Sequence, residues 1–131
     1  MAEEIVKSRE LTYRGKTIEE LKKMDVRESA KFLTSRSRRS VLRHFDIIEK
    51  FIKRCGQAGK KKIKTHLRDI VIVPKLVGFT ISVHTGKAFH DVNIITEMIG
   101  HRLGEFALTR SKVMHGTAGI GATKSTKTQK K

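Results

Sequence analysis

The 131-residue chain sets 29 Lys and Arg against 13 Asp and Glu, a formal net charge of +16, with 37% hydrophobic and 5% aromatic residues and no tryptophan. One domain with a small appendage fits that length, and the charge selects a polyanionic partner, nucleic acid before membrane. No run approaches the ~20 apolar residues of a membrane span, Met1-Ala2-Glu3-Glu4 lacks a signal-peptide layout, and the lone Cys55 excludes an internal disulfide, so a cytoplasmic protein is expected.

Thr17-Ile18-Glu19-Glu20 predicts a capping box, with Thr17 accepting from a first-turn amide and Glu20 reaching back. Asp25 is predicted as the next N-cap, ahead of Val26, Ala30 and Leu33 at helical spacing. The strongest helix is expected from Ser37 to Cys55, where Val41, Phe45, Ile48, Ile52 and Cys55 form one apolar stripe. Asp46 with Lys50, and Glu49 with Lys53, are four-apart pairs in the favourable order. Gly56 and Gly59 end this helix, and Cys55 on its stripe is a packing residue.

Past residue 62 the period changes. Ile70-Val71-Ile72-Val73, closed by Pro74, predicts a buried strand. Phe79, Ile81 and Val83 alternate with smaller or polar residues, the period of a half-buried strand. Thr85-Gly86 supplies a tight turn, and Lys87 to Ile95 can return as the partner strand. Thr96 is expected to cap a short helix with Ile99, Leu103 and Phe106 inward and Gly104 near its end. From about Arg110 the periodicity disappears, and Gly116, Gly119 and Gly121 in a Lys/Thr/Ser-rich run predict a disordered basic tail. The class is α+β: an N-terminal arm and helical extension over residues 1–62, a small, mainly antiparallel three-stranded sheet with a short helix over 63–109, and the flexible tail over 110–131.

The charge is segregated along this layout. Residues 1–30 and 70–105 are each neutral overall, whereas residues 31–69 carry a net +10 and residues 106–131 a net +6. Evenly solvated lysines would not collect in two blocks, so both blocks are expected to contact RNA or DNA. In the first, Ser35-Arg36-Ser37-Arg38-Arg39-Ser40 and Arg43 stand at the start of the long helix, where guanidinium forks and first-turn backbone donors suit phosphate. Lys60, Lys61 and Lys62 follow, then Lys64, His66 and Arg68. In the second, Arg110, Lys112, His115, Lys124 and Lys127 are the candidate contacts.

Competing chemistries find little support. Gly116 and Gly121 have P-loop spacing, but Ala122-Thr123 stand where that loop needs Lys and then Ser or Thr. The six histidines lack zinc-site spacing, and Asp91, Glu97 and Glu105 are far apart in sequence. No enzyme, cofactor, metal or small-molecule substrate is therefore expected. Aromatic stacking platforms are also not expected, since Tyr13 is alone and most Phe fall on apolar faces. Recognition of folded RNA by backbone and shape follows. A DNA-compacting architectural protein is the alternative that charge alone would equally support, but the hairpin tip Thr85-Gly86-Lys87 is polar and too short for a minor-groove arm.

One set of residues resembles a known family. Thr85-Gly86-Lys87, Ile94, Ile99-Gly100, Leu103-Gly104-Glu105-Phe106 and Thr109, in this frame, are similar to the signature of small-subunit ribosomal protein nineteen. The likeness begins at Lys64-Thr65-His66-Leu67-Arg68-Asp69 and runs through Pro74 and Gly78. Tyr13-Arg14-Gly15, His115-Gly116 and Gly119-Ile120-Gly121-Ala122-Thr123 resemble the longer archaeal and eukaryotic branch. The bacterial form lacks the helical extension and has Trp and Ser near the place of His66-Leu67, so bacterial contacts there do not carry over. The resemblance implies an α+β domain in the head of the small subunit, bound to the 3′ domain of small-subunit rRNA and paired with ribosomal protein thirteen. It also implies a C-terminal tail near the A-site tRNA. Within the signature, Glu105-Phe106 and the Ile99/Leu103 helix take the structural part, and Lys87, His101 and Arg102 are implied RNA contacts.

Overall fold

A computed structural model describes residues 12–59 and 62–112. It opens on a miniature hairpin, β1 (Thr12–Tyr13) against β2 (Lys16–Thr17), closed by Arg14 and Gly15 at φ 48° and 79°. Positive φ at both loop residues is the backbone of a type I′ turn, whose twist suits a two-residue hairpin. Thr17 then caps α1 (Ile18–Lys23) by accepting from the Glu20 amide at 3.4 Å. Asp25 precedes α2 (Val26–Ser29) as expected, but its carboxylate makes no cap bond and lies 4.0 Å from Lys75 Nζ. Val26, Ala30 and Leu33 are all buried.

The long helix expected from Ser37 to Cys55 is two helices. α3 (Ser35–Arg43) and α4 (Phe45–Ala58) meet at His44, whose φ of −106° and ψ of 27° leave the helical basin. Its Nδ1 lies 3.1 Å from the Ser40 carbonyl at the end of α3. The bend re-aims the apolar stripe. Val41, Ile48 and Cys55 reach the core, Phe45 and Ile52 are only half-buried, and Phe51, off the stripe, is fully enclosed. Glu49 and Lys53 pair at 3.0 Å. Gly56 lies inside α4, and Gly59 terminates it at φ 55°.

The three-stranded sheet is mixed and begins earlier than the apolar run suggests. β3 (Ile63–Thr65) runs parallel to β4 (Thr80–His84), and β5 (Phe89–Asn93) is antiparallel to β4. A parallel pair needs a crossover, and residues 66–79 supply it, with a 3-10 turn at Pro74–Leu76. Ile70–Val73 lies within this crossover. It is extended and buried but joins no strand of the sheet. Its partner is the loop at 100–104: Gly100 N–H donates to Ile72 O at 2.9 Å, Ile72 N–H to His101 O at 2.8 Å and Leu103 N–H to Ile70 O at 3.0 Å. Hydrophobicity reports the burial of such a run, and not what it pairs with.

That pairing also replaces the short helix expected after Thr96. Backbone groups that an α-helix would need for its own ladder are already bonded to residues 70–72. Two 3-10 turns form instead, Thr96–Met98 and Leu103–Phe106, on either side of Gly100 at φ 87°. Ile99 and Leu103 still point inward, and half-buried Phe106 packs against the core. The hairpin between β4 and β5 closes as read, with Thr85 N–H donating to Ala88 O at 2.8 Å and Gly86 at φ 102°. One continuous core runs from Val26 through Val41, Phe51, Ile72 and Ile81 to Ala107, so the helices and the sheet share it in an α+β arrangement.

Candidate nucleic-acid interface

The start of α3 is fixed by a long-range anchor. Ser37 Oγ donates to the Gly100 carbonyl at 2.8 Å, while Thr34 Oγ1 donates to Ser37 Oγ at 3.1 Å instead of capping the helix. Val41 seals the opposite face in the core. With the helix held this way, Arg36, Arg38, Arg39 and Arg43 stay exposed and face Arg102, which follows the anchoring Gly100 by two residues. These five arginines, with Ser35 and Ser40, line an open cleft of about 820 Å³. The first turn of α3 holds no acid. Among the described residues, the ion pair that these arginines make is Arg102 Nη1 with Asp69 at 3.5 Å, with Asp69 95% exposed, and such a pair is worth little in water. Planar guanidinium forks converging on one cleft are suited to phosphate oxygens.

A second group of candidates gathers on the sheet. Lys64 is exposed on β3, His66 just past its end, and Lys87 at the hairpin tip. Lys62 Nζ pairs with Asp91 at 2.5 Å, and Ser82 Oγ donates to the other Asp91 oxygen. Those two bonds, the one from Lys62 first, hold the Asp91 carboxyl below the usual carboxylate range. Part of the Lys62 charge is thereby satisfied within the protein.

Arg68, expected as an RNA contact, is engaged within the protein. Its guanidinium donates to three backbone carbonyls, His84 O at 2.6 Å, Gly104 O at 2.8 Å and Ala107 O at 2.6 Å, in a half-buried position. It ties the end of β4 to the 103–107 segment, and both outer nitrogens face inward. His101 Nδ1 lies 2.8 Å from Glu105 Oε2, and Glu105 Oε1 accepts from the Arg102 backbone N–H at 3.2 Å. Desolvation works to raise the Glu105 carboxyl, but the Arg102 amide and His101 outweigh it and the net shift is downward. Arg110 and Lys112 are exposed. Lys60, Lys61, His115, Lys124, Lys127 and the expected disorder of the tail lie outside the described residues.

The sequence reading missed Ser37 as an anchor, because it sits within an arginine-rich run that reads as uniformly solvated. It also missed the grouping of His66, His84 and Phe89 on the sheet. Pairing the two predicted hairpin strands in register would have placed His84 opposite Phe89.

The sequence profile of the family described as Ribosomal protein S19 matches residues 34–115. The chain is 50% identical over 118 residues to the small ribosomal subunit protein uS19 of Methanocella arvoryzae, covering 90% of this chain and 84% of that protein. It is 42% identical over 118 residues to the small ribosomal subunit protein uS19 of Methanococcoides burtonii, covering 90% and 86%. Only 98 of the 131 residues follow Leu33, so at least 20 of the 118 aligned residues precede Thr34 and the similarity reaches the N-terminal helices.

Proposed function

Because the chain belongs to the ribosomal protein S19 family, as a cytoplasmic protein of the small ribosomal subunit, we propose that it acts there as a non-enzymatic structural component that binds small-subunit rRNA. The observation that carries this reading is the cleft of Arg36, Arg38, Arg39, Arg43 and Arg102. Five guanidinium groups so close together repel one another unless a polyanion lies between them. Lys64, His66, Lys87, Arg110 and Lys112 extend the contact surface, and Arg68 supports it from within. Lys60, Lys61, His115, Lys124 and Lys127 join the surface by charge alone. The family resemblance supplies the finer reading: the 3′ domain of the rRNA in the subunit head, ribosomal protein thirteen as neighbour, and the tail beside the A-site tRNA.

The test is the salt dependence of binding by the full chain to a 3′-domain rRNA fragment, against duplex DNA of equal length. Log affinity should fall with log salt by about 0.7–0.9 per phosphate contact. Replacing Arg36, Arg38, Arg39 and Arg43 with Gln should flatten that slope by roughly three. An unchanged slope would remove the cleft from the contact surface, and a preference for the DNA would favour an architectural DNA-binding role.

A further inference from the structure

The strand register divides the three-stranded sheet into two faces. Partners across a ladder share a face, and neighbours along a strand alternate. Ile63, Ile81, Val83 and Val92 line the face in the core. The opposite face carries Lys64 beside Ser82 and Asp91, then His84 beside Phe89, with His66 following β3 on the same side.

This outward face is not the plain polar surface its position would predict. His66, His84 and Phe89 form a closed triangle of rings, with centroids 4.4 Å apart for the two histidines, 5.2 Å for His66 and Phe89, and 5.0 Å for His84 and Phe89. His66 is exposed, and Phe89 remains 37% exposed. Lys64 Nζ stands 5.4 Å from the centre of the Phe89 ring. His84 Nδ1 accepts from the Gly86 N–H at 3.1 Å. Asp91, the acid on this face, is paired with the Lys62 cation, which offsets its charge toward an incoming phosphate, and also accepts from Ser82.

We propose that this sheet face is a stacking platform for an unpaired RNA base, stacked on Phe89 with the His66 ring, inclined at 79° to it, against the base's edge and Lys64 at its phosphate. The proposal rests on the rRNA-binding reading and adds to it a second mode of contact, through a base instead of the backbone. Exposed rings on a sheet, flanked by cations, have the chemistry that binds single-stranded nucleotides: every base has a π face, and stacking tolerates any sequence. The arginine cleft on α3 suits phosphates of folded RNA, whereas this face suits a nucleotide turned out of its helix.

The experiment compares the full chain on two RNAs, a stem-loop with one bulged 2-aminopurine and the same stem fully paired. The wild type should prefer the bulged RNA and quench its fluorescence on binding. Phe89→Leu should lose roughly five- to hundredfold on the bulged RNA and bind the paired stem as before, and Phe89→Trp should retain the preference. His66→Leu, at an exposed position, should reduce the preference without touching the core. Equal binding of both RNAs by the wild type, with a steep salt slope, would overturn the platform and leave the cleft standing. Binding of neither RNA would overturn the RNA reading itself. Preference and quenching that survive both Phe89→Leu and His66→Leu, or equal losses on both RNAs in both variants, would show that the rings serve the fold or another partner.

Discussion

A Cβ built on Gly104 would stand 3.0 Å from Arg68 Cβ and 3.2 Å from the Arg68 carbonyl oxygen. The two residues are also bonded in both directions, Gly104 N–H to Arg68 O at 2.9 Å and an Arg68 guanidinium nitrogen to Gly104 O at 2.8 Å. Gly104 is therefore a close-approach glycine, where the sequence alone suggested the end of a helix.

Gly104→Ala should destabilise the protein by about 1–3 kcal/mol, the usual range for overpacking. The obstacle is backbone oxygen and Cβ, which cannot swing aside as a side-chain tip can. Urea denaturation measures this, and an unchanged midpoint would mean that the 103–106 turn shifts freely.

Arg68→Met should cost about 2–4 kcal/mol, because three carbonyls lose a charged donor. Arg68→Lys should recover part of that loss, since one ammonium cannot span three acceptors as the planar fork does. The salt slope of RNA binding should be unaltered in the folded variants. A slope reduced by about one would make Arg68 a phosphate contact as well.

Cys55 is fully enclosed, and burial pushes its thiol up to about 11, with Arg54 opposing. Its folded value exceeds the ordinary 9.0, so thiol ionisation favours the unfolded chain, and stability should decline as pH rises through that interval. At pH 8 the native thiol should react with a disulfide reagent only as fast as the protein opens. Immediate stoichiometric labelling would contradict its burial.

Asp91 and Glu105 shift the other way. Their stabilisation is present above the ordinary carboxylate range, about 4, and is lost as pH falls through their lower folded values. Acid unfolding curves of Asp91→Asn and Glu105→Gln should be flatter than that of the wild type below about pH 4. Parallel curves would show that neither carboxylate contributes.

Deleting residues 111–131 should leave folding and incorporation into the subunit intact, since among the described residues the buried core closes at Ala107. The loss should appear as weaker A-site tRNA binding in assembled ribosomes. Failure of the truncated protein to enter the subunit would make the tail an assembly element.

Local signals were legible in the sequence, and non-local partners were not. Thr17 caps α1, Gly86 turns the hairpin, and Val26, Ala30 and Leu33 are buried, because each depends on neighbours a few residues away. Ile70–Val73 was read correctly as buried and wrongly as a sheet strand, since its partner lies some 30 residues on and carries no alternating pattern. The break at His44 was hidden for a related reason: the stripe from Val41 to Cys55 keeps helical spacing across the bend. The arginines of the cleft were visible as charge. Their convergence with Arg102 depends on the bond from Ser37 to Gly100, which no spacing rule reports.

The 63 positions separating Ser37 from Gly100 set the order in which this protein comes into being. Synthesis is vectorial, and folding of each unit waits for its last contributing residue. A nascent chain that stops short of Gly100 has all four arginines of α3 but no carbonyl on which to seat the helix, and no Arg102 to form the other wall. The arginine cleft thus matures only after α3 has found its anchor, and its completion reports that the loop bearing the signature residues has reached its place.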